Sequence, residues 1–219
     1  MPQKHREAGF TFLELIIVVA MGLVVAGFAI PTYQRTMLNY RLQGDTRAIN
    51  GEIQLAKMRA AANFTRARLR FFTGGSYQTE VWCKAQFSPR ACGLVADANT
   101  WKLLPTSGTK RLSSEIRYGV NTQTLPPPQT QGGTLAQPAF CRQGTAGLPG
   151  GGAILLNSRC IIFNSRGFPV NSAGNPYGDY GIYITDGTAV QGTTVSRTGL
   201  TASWRHDAQD TAAASWFRH

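Results

Sequence analysis

Glu14 is the only charged side chain in an otherwise apolar run from Phe10 to Ile30, 21 residues long. At about 1.5 Å per residue such a run spans roughly the 30 Å of a bilayer's hydrocarbon core. An ionised carboxylate there costs several kcal/mol, so Glu14 calls for a cationic partner and marks a functional position.

Other residues could carry chemistry of a different kind. Arg66, Arg68 and Arg70 alternate with Ala67, Leu69 and Phe71, which at the two-residue period of a strand puts the arginines on one face. With Lys57 and Arg59 nearby, the stripe offers a candidate contact for an anion or DNA. It lacks an aromatic stacking platform, so a solvated strand face is the expectation. Cys83, Cys92, Cys141 and Cys160 all follow the apolar run, where an oxidising compartment would allow disulfides. Four cysteines permit three pairings. The sequential one, Cys83 with Cys92 and Cys141 with Cys160, is expected because each bridge closes a short polar loop between predicted strands.

Catalytic and metal constellations are poorly represented. No CxxC spacing accompanies the cysteines and the three histidines stand far from them, so neither zinc nor any other metal is expected. His5 precedes the apolar run, while His206 and His219 fall in the last fourteen residues, a weak basis for a Ser-His-Asp triad. The glycines at 144–152 are not followed by Gly-Lys-Ser/Thr and open no helix, so they make no phosphate cradle. Asp179 and Asp186 flank a predicted strand and read as turn residues in preference to calcium ligands. No cofactor is implied. The 22 Lys and Arg against 11 acids give a net charge of +11, which suits an anionic partner without specifying one.

The elements that position these residues follow from patterning. Lys4, His5 and Arg6 against Glu7 form a basic leader that stays cytoplasmic while the carboxyl side crosses. Ala26-Gly27-Phe28 is a poor signal-peptidase site, so the run is expected to remain as an anchor. Pro31 is expected to interrupt the helix near the bilayer edge. The pattern resumes through Tyr33, Met37, Tyr40, Ile49, Ile53, Ala56, Ala60 and Phe64, a stalk with one apolar face over residues 31–64, weakened at Gly44 and Gly51. Short strands are predicted at Tyr77–Lys84, Trp101–Leu104, Ile116–Val120, Ala153–Leu156, Cys160–Phe163, Gly181–Thr185, Ala189–Ser196 and Thr201–Arg205. Between them, residues 121–152 hold seven glycines and five prolines and read as a long surface loop, partly held by whichever disulfide Cys141 makes. The tail Arg205–His219, with Trp204 before it and Trp216 and Phe217 within it, fits either a docking segment or a terminus folded back onto the head.

The basic leader ending in Gly9, the Phe at 10 and the Glu at 14 resemble a type IV prepilin, the class that includes type II secretion pseudopilins. The resemblance implies cleavage by prepilin peptidase between Gly9 and Phe10, N-methylation of Phe10, and pairing of Glu14 with a Phe10 amino group inside a filament. Removal of 1–9 would leave a charge of about +10. A second resemblance, to the closing hairpins of GspH/FimT-type minor pilins and pseudopilins, rests on residues 161–169, 183–187 and 195–199. Many relatives read Gly-Arg-x-Arg at the final turn, a motif associated with DNA binding in competence-linked members. Here the turn is Gly199-Leu200-Thr201-Ala202.

Together these imply a type IV pilin-like α+β chain. Residues 1–9 form the leader, 10–30 the membrane and filament-core helix, 31–64 its continuation, and 65–219 a periplasmic head with an antiparallel β-sheet. The expected role is structural, in a type IV pilus or a type II secretion pseudopilus, anchored in the bacterial inner membrane before assembly. Its partners are other pilins or pseudopilins and the prepilin peptidase. A DNA-binding minor pilin of a transformation pilus is the alternative, and a surface adhesin using the 121–152 loop is a third class.

Overall fold

The computed structural model describes residues 11–84, 92, 99–104, 107–145, 147–207 and 215–218. The chain divides into two units, Met1–Tyr40 and Arg41–His219. Helix α1 is Phe12–Ala62, followed by twelve β-strands.

In the first unit, α1 starts on a capping sequence. Thr11 precedes the first turn, its Oγ1 accepts the Glu14 N–H at 3.3 Å, and Thr11-Phe12-Leu13-Glu14 has the order of a capping box. Glu14 thus also sits where the helix dipole favours an acid. Pro31 lies inside the helix, which continues past it, as the resumed pattern implied. One missing N–H is tolerated in an apolar helix, and the hydroxyls of Thr32 and Thr36 bond back to the Phe28 and Thr32 carbonyls at 3.0 and 2.9 Å.

In the second unit, the helical face that turns inward carries Leu42, Asp45, Thr46, Ile49, Glu52, Ile53, Ala56 and Ala60. These recur at three- and four-residue steps, as a half-buried helix requires, but three are polar and were not part of the predicted apolar face. Gly44 and Gly51 are exposed and leave the helix intact. The helix stops at Ala62, so Phe64 lies outside it and is 68 % exposed. Phe64 is the left-handed residue (φ 48°) of a Schellman ending, with Thr65 N–H on the Ala60 carbonyl and Phe64 N–H on the Ala61 carbonyl, both at 3.2 Å.

The first sheet comprises β1 (Ala67–Phe72), β2 (Ser76–Cys83), β3 (Thr100–Leu103), β4 (Thr109–Arg111), β6 (Phe140–Arg142), β7 (Ile154–Phe163) and β8 (Pro169–Val170). Its order is β3-β2-β1-β7-β6, with β4 also on β2 and β8 on β7. The second comprises β5 (Arg117–Tyr118), β9 (Tyr180–Thr185), β10 (Ala189–Val195), β11 (Thr201–Asp207) and β12 (Phe217–Arg218), ordered β12-β11-β10-β9-β5. Every pairing is antiparallel. One core joins Leu42, Ile49, Ile53, Ala56 and Ala60 of α1 to Leu69, Phe71, Val81, Ile161 and Phe163 of the first sheet and Ile182, Ile184 and Val195 of the second.

Several expectations need correction. The segments at 153–156 and 160–163 are one strand, β7, because Ser158 is buried within it although its polarity reads as a break. Of Ile116–Val120 only Arg117–Tyr118 pairs. The 121–152 segment is held by the Cys141 bridge, as expected, and by more than that. It supplies β6, and its Gln137 side chain imitates a strand, donating to the Tyr183 carbonyl at 2.8 Å and accepting the Tyr183 N–H at 3.1 Å.

Candidate functional site

Gly9 and Phe10 lie outside the described residues. Just after them, every large apolar side chain from Phe12 to Ile30 is exposed, from 46 % at Ile17 to 78 % at Phe12. The stretch is long and apolar enough to cross a membrane. Among the described residues the Glu14 carboxylate meets no cation. Apolar surface of this extent needs lipid or other helices to cover it, and the acid within it needs a positive charge from elsewhere.

Arg68 and Arg70 share one face of β1, and around Arg68 it is neither solvated nor an open stripe. That side of the first sheet, opposite α1, is covered by Trp101, Leu155 and the bridged Cys141 and Cys160 around Ile162 and Val170. Arg68 lies directly across the β1–β2 ladder from Glu80; its Nη2 is 2.5 Å from Glu80 Oε2, with the side chains only 2 % and 4 % exposed. Arg68 Nη1 donates to the Arg142 carbonyl at 2.6 Å, and the guanidinium stacks 4.2 Å from the Trp101 ring centroid. Burial pulls the Arg68 pKa down to about 10, with Glu80 opposing the shift. Arg70 reaches the same carboxylate at 3.4 Å. Arg66 precedes β1 and lies apart from this pair. A buried, paired guanidinium is unavailable to phosphates, so the group acts as a structural ion network.

Both bridges are formed, Cys83–Cys92 and Cys141–Cys160, and there is no free cysteine. The second ties β6 to β7 and helps hold the glycine-rich segment over the arginine face. At Gly144 a Cβ would fall 2.3 Å from the Trp82 ring, so this glycine serves close packing. Trp101 Nε1 donates to the Pro149 carbonyl at 3.0 Å from the same layer.

Polar side chains on the inner face of α1 form a set of latches that periodicity alone does not reveal. Glu52 accepts from Lys110, and from Ser107 and Thr79 at 2.8 Å each. Burial acts to raise its pKa, but these bonds and the Lys110 charge outweigh it and hold the carboxyl below its ordinary value. Asp45 accepts the Ser113 N–H and hydroxyl at 2.8 and 3.0 Å. Thr46 donates to Gln191 at 2.8 Å and Gln54 to Thr201 at 2.9 Å, which extends the set to the second sheet. Lys57 donates to the Gly199 carbonyl at 3.1 Å, at the turn where Leu200 stands 68 % exposed.

Residues 215–218 fold back onto the head. Trp216 is buried, its Nε1 on the Leu125 carbonyl at 3.0 Å. Ser215 Oγ lies 2.7 Å from His206 Nε2; both side chains are buried, and among the described residues no acid meets Nδ1 as the third member of a triad would. Asp186 Oδ1 accepts from Thr188 and Ala189, as a turn aspartate does. Among the described residues no three His, Cys, Asp or Glu side chains gather where a metal ion could be held.

The chain matches the family described as prokaryotic N-terminal methylation motif over residues 4–30. No curated protein and no solved structure matches it. The motif is the signal of type IV pilin-type processing and supports a prepilin-like chain, and the long N-terminal helix followed by antiparallel sheets has the α+β architecture of a type IV pilin-like fold.

Proposed function

We propose that this chain is a structural subunit of a pilin-type filament, a minor pilin or GspH-type pseudopilin of a type IV pilus or type II secretion pseudopilus. Prepilin peptidase cleaves it between Gly9 and Phe10, Phe10 is N-methylated, and the inner membrane holds it with the head in the periplasm until other pilins or pseudopilins receive it. The observation that carries this reading is the methylation motif at 4–30 running into a helix whose large apolar side chains are uncovered from Phe12 to Ile30, around a carboxylate that meets no cation among the described residues. In a filament the Phe10 amino group supplies the missing cation and neighbouring helices supply the cover, which makes a buried charge tolerable. Against the transformation-pilus alternative, Arg68 is paired with Glu80, and the turn Gly199-Leu200-Thr201-Ala202 has no arginine where the resembled DNA-binding members carry two.

The test combines processing with assembly. Mass spectrometry of membrane-derived protein should give a methylated N-terminus at Phe10; a mature terminus near Ala29 refutes the reading. Glu14→Ala should leave membrane insertion intact and reduce crosslinking to other pilins, whereas unchanged crosslinking removes Glu14 from assembly.

A further inference from the structure

We propose that a groove on the side of the second sheet away from α1 binds an oligosaccharide, with one sugar ring on Trp204 and another on Tyr177. The proposal goes beyond the filament reading and does not rest on it. Gln191 and Thr201 bond to α1, so by the alternation of a strand Thr194, Ala202 and Trp204 of the β10–β11 ladder face the other way. Over them lies a cleft of about 490 Å³ that Trp204 lines together with Asp179, Arg197 and Arg218. A second, of about 250 Å³, is lined by Tyr177, Thr134 and the same Asp179. The two clefts therefore meet at one carboxylate, and each offers an aromatic ring that is not buried.

Both rings are held from behind. Trp204 Nε1 donates to Thr194 Oγ1 across the ladder at 2.8 Å, which fixes the indole. Tyr177 packs edge-on against Tyr180, with ring centroids 4.8 Å apart and planes at 71°, and the Tyr180 hydroxyl is anchored on the Val170 carbonyl at 2.7 Å. The walls are fixed as well. A Cβ on Gly178 would fall 2.6 Å from the Arg197 backbone nitrogen, so only glycine lets the chain beside Asp179 close onto the turn that carries Arg197. Gln131 donates to the carbonyls of Ala136 and Asp179 at 2.8 and 3.0 Å and accepts the Tyr183 hydroxyl at 3.0 Å, tying the glycine- and proline-rich segment to the sheet. A groove already ordered loses little freedom when a ligand enters.

The chemistry of the groove selects the ligand. A pyranose presents C–H faces, which suit the negative face of an aromatic ring, and a rim of hydroxyls that both donate and accept. Asp179 is tied down through its backbone carbonyl, and among the described residues no donor meets its carboxylate, so its two oxygens can accept from a pair of hydroxyls. Arg197 and Arg218 donate in planar forks from the rim of the larger cleft. Two rings with a shared carboxylate require a ligand that repeats an apolar face and a polar rim, as a chain of sugars does.

The probes are maltotetraose, cellotetraose, chitotetraose and tetragalacturonate, titrated by calorimetry into the full chain in a polyoxyethylene detergent, which contributes no sugar. At least one should bind saturably below about 10 mM, and about tenfold or more tightly than its own monosaccharide, because two rings engage it. Tyr177→Ala and Asp179→Asn should each weaken that tetrasaccharide by about fivefold or more, and Trp204→Ala by more than either. Arg111→Gln, which removes an exposed cation of β4 outside the groove, should leave it unchanged. Tyr177 is 36 % exposed, so its variant decides the matter even if Trp204→Ala fails to fold. No saturable binding by any of the four probes, or binding that Tyr177→Ala or Asp179→Asn leaves intact, overturns the proposal. Displacement of the tetrasaccharide by decaproline would assign the groove to a proline-rich partner and overturn it equally.

Discussion

Removing either partner of Arg68–Glu80 should destabilise the head, and by unequal amounts. Breaking a buried ion pair costs about 3–5 kcal/mol because the survivor is left uncompensated. In Arg68→Met, Glu80 keeps the Gln78 amide at 2.7 Å and Arg70 at 3.4 Å, which places the loss near the lower end, at about 3 kcal/mol. In Glu80→Leu, Arg68 keeps only the Arg142 carbonyl and the face of Trp101, neither of which neutralises it, so the loss should approach about 5 kcal/mol. Arg68→Met with Glu80→Leu removes both charges and should recover most of the loss, to within about 1 kcal/mol of wild type or better. All four tryptophans, Trp82, Trp101, Trp204 and Trp216, lie in the second unit, so urea unfolding of the full chain followed by fluorescence reads the head alone. With a slope of about 2 kcal/mol per molar urea, the single variants should lower the midpoint by about 1.5 and 2.5 M. Losses below about 1 kcal/mol in both variants would mean that the face is solvated after all. A greater loss in Arg68→Met would refute the ranking by residual partners.

The Glu52 cluster should shape the acid limb of stability. Its folded pKa lies below the ordinary 4.5, so its contribution is fully present above the unfolded value and is lost as pH falls through the folded one; Glu52→Gln should flatten thermal stability against pH in that window, and an unaltered limb would show that the carboxylate gains nothing on folding. At the end of α1, Phe64→Gly should stabilise the head by about 1 kcal/mol by relieving the left-handed backbone, while Phe64→Ala, which keeps that strain, should change it by under about 0.5 kcal/mol in urea unfolding. Equal effects of the two would place the strain elsewhere.

How much of this was legible depended on whether a feature is local. The apolar run and its single acid are a matter of composition, and most strands of the head follow from alternation bounded by turns. The two disulfides close loops of 9 and 19 residues in sequence, short enough to be expected between neighbouring strands. Alternation also put the three arginines on one side of a strand, but a period of two says nothing about what covers that side. A signal did exist: Gly74-Gly75 closes a hairpin whose register sets Arg68 opposite Glu80, and opposite charges facing each other across a ladder favour pairing. Segment 121–152 defeated the reading for another reason. Its order comes from Gln137, Pro149 and Leu125 meeting backbone and side-chain groups 46, 48 and 91 residues away, and no local pattern encodes such partners.

The polar latches explain why the inner face of α1 is not simply apolar. Leucine and isoleucine packing is nondirectional, so an all-apolar helix could shift by a turn, about 5.4 Å, and still bury similar area. Asp45 and Glu52 forbid that shift. Each is buried and matched to donors on one side of the head, and moving α1 by a turn would leave two carboxylates without their donors, at a cost of about 1–3 kcal/mol or more apiece. Thr46 with Gln191 and Gln54 with Thr201 apply the same constraint from the second sheet. The apolar contacts therefore supply adhesion, and the polar ones select a single axial and rotational setting of residues 41–62.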